Sequence, residues 1–183
     1  MAADYLVSSL QPLALDGPAP YTAGQFLELC RSQLPAADAA AVEELFAPVP
    51  AAASEHRILA RWLDLDAQLR NAIAAERARL RGQEATRWRR PAEGCALYWM
   101  NRAAAAFQEK DPARRERMLD QVRWDAAGEL TPPAAPLSKE AVFTYAIRLA
   151  VVLRRAARDT EAGNDVFNRL TAASKIDLKE SNT

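Results

Sequence analysis

At 183 residues the chain is long enough for one domain that buries roughly 70% of its unfolded surface, so stability needs neither a disulfide nor a metal. Its 24 basic and 24 acidic residues balance, which leaves no net field to attract nucleic acid or an anionic membrane. Alanine is abundant, aromatics make up 7% and glycine only six residues, the composition of an all-α protein.

The first stretch, YLVSSLQPL over residues 5–13, admits three readings: an export signal, a strand or a docking segment. Asp4 is the only charge ahead of the apolar run, and Ser8, Ser9 and Gln11 interrupt it, so an export signal is not expected. Tyr5, Val7 and Ser9 alternate imperfectly with Leu6, Ser8 and Leu10, which predicts an extended N-terminal segment over residues 1–20. Tyr5, Leu6, Val7 and Leu10 are its candidate contact residues, either on the protein's own core or on a partner.

Thr22 and Gln25 form a capping-box pattern, and Phe26, Leu27, Leu29, Cys30 and Leu34 keep helical spacing until Pro35. Asp38 is placed to cap a second short helix bearing Val42, Leu45 and Phe46, ended by the PVP of residues 48–50. Together they predict a helical hairpin. Ser54 opens a far longer pattern through Ile58, Trp62, Leu65, Leu69, Ile73 and Leu80 to Gly82, a helix about 40 Å long.

A further helix is expected from about Cys95 to Gln108, carrying Leu97, Tyr98, Trp99 and Phe107. Asp111 and Pro112 supply an N-cap and a first-turn proline for the next, with Met118, Leu119 and Val122 facing inward before Gly128. Residues 131–138, TPPAAPLS, are a proline-rich connector, and Ser138 stands where the last long helix needs its N-cap. Val142, Phe143, Tyr145, Ile147, Leu149 and Val151 to Leu153 surround that helix with apolar groups, which suits a central core helix or one covered by another subunit. Gly163 and Asn164 kink or split it, and residues 176–183 form a flexible tail. The expected architecture is therefore an all-α, single-domain bundle with two long helices, a short N-terminal helical hairpin and an extended N-terminal segment. The longest apolar stretch, residues 141–153, contains Arg148 and is too short for the ~20 residues that span a bilayer, so no direct membrane insertion is expected.

Motifs that carry chemistry are scarce. Neither GxxxxGK[ST] nor GxGxxG occurs, and Ser8 and Ser9 lack a GxSxG setting. His56, the only histidine, has Ala52, Ala53, Leu59 and Ala60 at helical neighbour positions, so a local metal site is not expected and a solvated or capping role is. Asp64 and Asp66 point about 200° apart on a helix and read as surface charges. Cys30 and Cys95, without a CxxC, read as structural thiols in apolar helical patterns, consistent with a reducing cytoplasm. No catalytic residue, cofactor or metal is predicted, although pocket residues from distant carboxylates and arginines need not form a motif. The one strong local feature is basic: Arg77, Arg79, Arg81, Arg87, Arg89 and Arg90 crowd the end of the long helix and the loop after it, around Trp88. Such a patch either solvates the negative end of the helix or binds an acidic partner. Neutral net charge favours an acidic protein over nucleic acid.

Three stretches together carry a resemblance. The opening YLVSSLQPLALDGPAPYTAGQFLELC, the helix RWLDLDAQLRNAIAAERARLRG and the closing AVFTYAIRLAVVLRRAARDTEAGNDVFNRL resemble a bacterial family of helical proteins encoded among V-type ATP synthase genes. The closing Asp-x-x-x-Gly-x-x-x-Phe pattern falls on Asp159, Gly163 and Phe167. Gln11 stands where the pattern has proline, which follows at Pro12, and residues 91–135 lie outside the likeness. The family looks related to the helical, funnel-like C subunit of V-type ATPases, the piece that joins the central rotor stalk to the membrane rotor ring. The resemblance implies a non-catalytic, C-subunit-like component or accessory that couples or assembles the central stalk with the membrane rotor. Its partners would be central-stalk and membrane-rotor subunits, and its location cytoplasmic, held at the inner membrane through a protein complex. The alternative is a freestanding helical adaptor or assembly factor.

Overall fold

The computed structural model describes residues 2–47 and 53–159; within these the chain is an all-α bundle without a strand. Helix α1 spans Ala2–Ser9, α2 Ala23–Gln33, α3 Ala36–Glu44 and α4 Arg57–Leu80. Two short 3₁₀ turns, Thr86–Trp88 and Ala106–Gln108, flank α5, Leu97–Ala105; α6 is Pro112–Gly128 and α7 Lys139–Asp159. The PVP of residues 48–50, the Gly163 and Phe167 of the closing pattern, Asn164 and the 176–183 tail lie outside the described residues.

The N-terminal segment departs from expectation. Residues 1–20 are not extended throughout: Ala3, Leu6, Val7 and Leu10 share one face at three- and four-residue spacing, and all pack on the core. Ser8 Oγ donates to the Asp4 carbonyl at 2.7 Å and Ser9 Oγ to the Leu6 carbonyl at 2.8 Å, so the serines that break the apolar run bond back into the helix. The stretch after it is irregular and tied down at several points. Tyr145 donates its hydroxyl hydrogen to the Gln11 carbonyl at 2.9 Å, and Arg117 and Arg155 both bond the Asp16 carboxylate.

The α2–α3 hairpin forms as expected. Thr22 Oγ1 accepts from the Gln25 N–H at 3.2 Å while Gln25 Oε1 accepts from the Thr22 N–H at 2.9 Å, a complete capping box. Thr22→Ala is expected to lower stability by about 1 kcal/mol, and Thr22→Ser to retain it, measured by urea unfolding. Asp38 does not cap α3. The helix begins at once after Pro35, which leaves Asp38 in its first turn, buried and turned toward α4 and α7.

Helix α4 starts at Arg57, not at Ser54; the Ser54 hydroxyl instead accepts from the His56 N–H at 3.2 Å. It ends as its glycine foretold. Gly82 adopts φ +62°, its N–H reaches the Arg79 carbonyl at 3.2 Å, and the Gln83 N–H reaches Ala78 at 2.9 Å, the paired bonds of a Schellman motif. Asp111 caps α6 through Ala113 N–H with Pro112 in the first turn. Within α6 Leu119 and Val122 are buried but Met118 is exposed, because it falls one residue off the inner stripe. Ser138 precedes α7, yet its buried hydroxyl has no hydrogen-bond partner among the described residues.

Helix α7 is central. It contacts α1, α2, α4 and α6, and Val142, Phe143, Ala146, Ile147, Leu149, Val151 and Val152 are all buried within the chain itself. Tyr145 stacks on Phe26 of α2 with centroids 5.4 Å apart, and Thr144 donates to the Ala127 carbonyl of α6 at 2.9 Å.

Candidate functional site

Along the second half of α4, Arg70, Ile73, Ala74, Arg77, Ala78 and Arg81 recur at three- and four-residue steps and form one stripe. That stripe is one wall of a cleft of about 530 Å³. Glu116, Leu119 and Arg123 of α6 and the i, i+4 pair Arg154 and Arg158 of α7 close it opposite; Trp88 and Arg90 form its mouth.

The mouth is held by a second stripe on α4. Asn71 exchanges two hydrogen bonds with the backbone of Arg90, at 2.9 and 2.8 Å, and Asp64 accepts from the Glu93 N–H at 3.0 Å. Gln68 spans the same loop, donating to the Glu93 carbonyl at 2.7 Å and accepting from the Ala96 N–H at 2.5 Å. Three helix side chains thus satisfy backbone groups of a loop that has no regular partner of its own. Asp64 is therefore a loop anchor, not a free surface charge.

Beneath the wall the charges are arranged around two buried carboxylates. Asp66 bonds Arg70 Nε at 2.5 Å and lies 3.5 Å from Arg123 Nε. Asp120, 1% exposed, lies 2.5 Å from Arg154, 3.5 Å from Arg158 and 3.9 Å from Arg123. At the rim Glu116 serves Arg77 at 3.2 Å and Arg158 at 3.6 Å. Burial pushes the Arg123 guanidinium below its usual range; attraction to Asp66 and Asp120 opposes this, while repulsion from Arg154 and Arg70 adds to it. The expectation that Asp66 is a surface charge fails because the helix turns it inward against α6.

The sequence-level candidates divide. Arg77, Arg81, Trp88 and Arg90 meet at the cleft. Arg87 sits 5.8 Å over the Trp88 ring, Arg79 pairs with Glu76 on its own helix, and Arg89 is exposed. Arg70, Arg123, Arg154 and Arg158 escape sequence reading; their only local signal is an arginine repeated at i, i+4 in the polar half of α7. At the N-terminus Tyr5 is exposed, Val7 and Leu10 are half-buried and Leu6 is fully buried, so the four residues do not form one free partner surface.

His56 is neither solvated nor a side-chain cap. Its Nε2 lies 2.8 Å from Asp38 Oδ1, and its ring stacks on Phe143 with centroids 4.9 Å apart. Burial alone would raise the Asp38 carboxyl, but hydrogen bonds from His56 and Lys139 outweigh it and hold the group below its ordinary 3.8. This cluster joins α3, α4 and α7. Cys30 is buried, with its thiol pushed up to about 12 by burial, whereas Cys95 is exposed on the loop before α5. Among the described residues no group of three or more metal-type ligands occurs, and no helix is long and apolar enough to cross a membrane.

Fold and site together define a single-domain helical bundle with an arginine-lined cleft, whose guanidinium donors and indole suit it to holding an anion. Comparison with protein-family models, with curated proteins and with solved structures returns no match.

Proposed function

We propose that the protein is a non-catalytic adaptor that docks an acidic partner through the arginine-bearing end of α4 and the loop after it. The observation that supports this reading is the exposed pairing of apolar and cationic groups there. Leu80 is 55% and Trp88 43% exposed, beside Arg81, Arg87 and Arg89. Aromatic and arginine side chains in such company are the usual anchors of protein interfaces. The resemblance to proteins encoded among V-type ATP synthase genes supplies the partner: a central-stalk or membrane-rotor component, met in the cytoplasm at the inner membrane surface. A stiff bundle with a core helix crossed by four others suits a part that transmits or holds force between its neighbours.

The test is a tagged pull-down from gently solubilised membranes with quantitative mass spectrometry. Synthase subunits at a fixed ratio to this chain are the expected result. The triple substitution Arg87→Glu, Arg89→Glu and Arg90→Glu is expected to weaken that association by roughly tenfold or more while helicity stays unchanged. Unaltered retention of the partner would remove this surface from the reading, and retention of no synthase component beside an intact synthase would discard the role.

A further inference from the structure

Among the described residues, the inner cleft holds more positive charge than the carboxylates facing it neutralise. Seven arginines line it, at positions 70, 77, 81, 90, 123, 154 and 158, and the carboxylates that face them are Asp66, Glu116 and Asp120. Seven against three leaves, among the described residues, four positive charges lining about 530 Å³. The shortfall is visible atom by atom. Among the described residues the buried Nε groups of Arg123 and Arg154 have no hydrogen-bond acceptor, the former having only Asp66 at 3.5 Å, and the Arg81 and Arg90 guanidinium groups have no ion-pair partner.

We propose that this cleft is a binding site for a phosphorylated small molecule, a diphosphate or triphosphate ester whose organic part lies against Trp88. A phosphate monoester carries about −1.5 to −2 charge at neutral pH, and each further phosphate in a chain adds about one more negative charge. A short phosphate chain therefore balances the cleft within one compact ligand. Carboxylates of a peptide would need four separate side chains converging in the same space. The volume falls within the ~300–1,000 Å³ usual for small-molecule sites. Planar guanidinium forks match phosphate oxygens bidentately, and Trp88, which lines the same cleft as Ile73 and Ala74, offers an aromatic ring for stacking. The site shares Arg81, Trp88 and Arg90 with the proposed partner surface yet stands without a partner, because binding is measured on the isolated protein.

The experiment is isothermal titration and thermal denaturation of the full chain with inorganic pyrophosphate, a nucleoside diphosphate, a nucleoside triphosphate, sulfate and a tetra-glutamate peptide. Saturable binding of the phosphate chains is expected, raising Tm by roughly 5–10 °C at a hundredfold excess over Kd. Tighter binding of the nucleotides than of pyrophosphate, lost in Trp88→Ala, would identify the organic part; equal binding would assign the site to the phosphate chain alone and overturn the role of Trp88. The double substitution Arg81→Ala, Arg90→Ala removes no ion pair and is expected to weaken binding at least tenfold without lowering the Tm of the free protein. Binding of sulfate or tetra-glutamate as tight as that of the phosphate chains, no saturable binding up to millimolar probe, or indifference to the double substitution would overturn the proposal.

Discussion

Replacing Asp120 by Asn is expected to lower folding stability by about 3–5 kcal/mol, the usual consequence of removing one partner from a buried ion cluster. Asp120 is 1% exposed and faces Arg123, Arg154 and Arg158 at 3.9, 2.5 and 3.5 Å. Without its charge, Arg123, whose side chain is 13% exposed, keeps Asp66 alone while the repulsion from Arg154 and Arg70 remains. In a chain of this length each kcal/mol moves Tm by roughly 2–4 °C, so a fall of roughly 10 °C by circular dichroism is expected. Adding Arg154→Met to Asp120→Asn should recover part of the loss, since the second change removes a cation that the first left unneutralised. A loss below about 1 kcal/mol for Asp120→Asn would mean that the water already at Arg154 and Arg158 also reaches the Asp120 carboxylate.

Leu6→Ala is expected to destabilise by about 2–5 kcal/mol, as for other fully buried leucines. Leu6 is 0% exposed and belongs to the main core, where α1 packs on α2 and α7. Tyr5→Ala, one residue away and 72% exposed, is expected to stay within about 0.5 kcal/mol. The pair of variants, compared by urea unfolding with a common slope, separates a core element from a segment held out for a partner. A small loss at Leu6 would show that α1 detaches before the bundle unfolds.

Helix α4 links the fold to both proposed surfaces by dividing its circumference. Ile58, Leu59, Trp62, Leu69 and Ile73 face the core; Asp64, Gln68 and Asn71 clamp the loop; Arg70, Arg77 and Arg81 wall the cleft.

Much of this is legible in the sequence, because the signals involved are local. The capping box at Thr22 and Gln25, the Asp111 cap with Pro112 and the glycine end of α4 each depend on backbone groups within a few residues. Apolar spacing likewise locates the helices and the richly apolar α7. The N-terminal helix reads wrongly as an extended segment because alternation and helical periodicity are hard to separate over six residues, and its serines satisfy themselves on the helix backbone. Pairing across the bundle is different in kind. Asp120 is drawn to Arg154 and Arg158 across 34 and 38 positions, and Asp38 to His56 and Lys139 across 18 and 101, and no spacing rule reaches that far. The sequence alone determined an all-α chain and where most of its helices begin and end, since caps and periodicity act within one or two turns. That seven arginines from three helices and a loop line one cleft with, among the described residues, only three carboxylates facing them is settled by the packing of the helices, because it brings together charges that lie far apart along the chain.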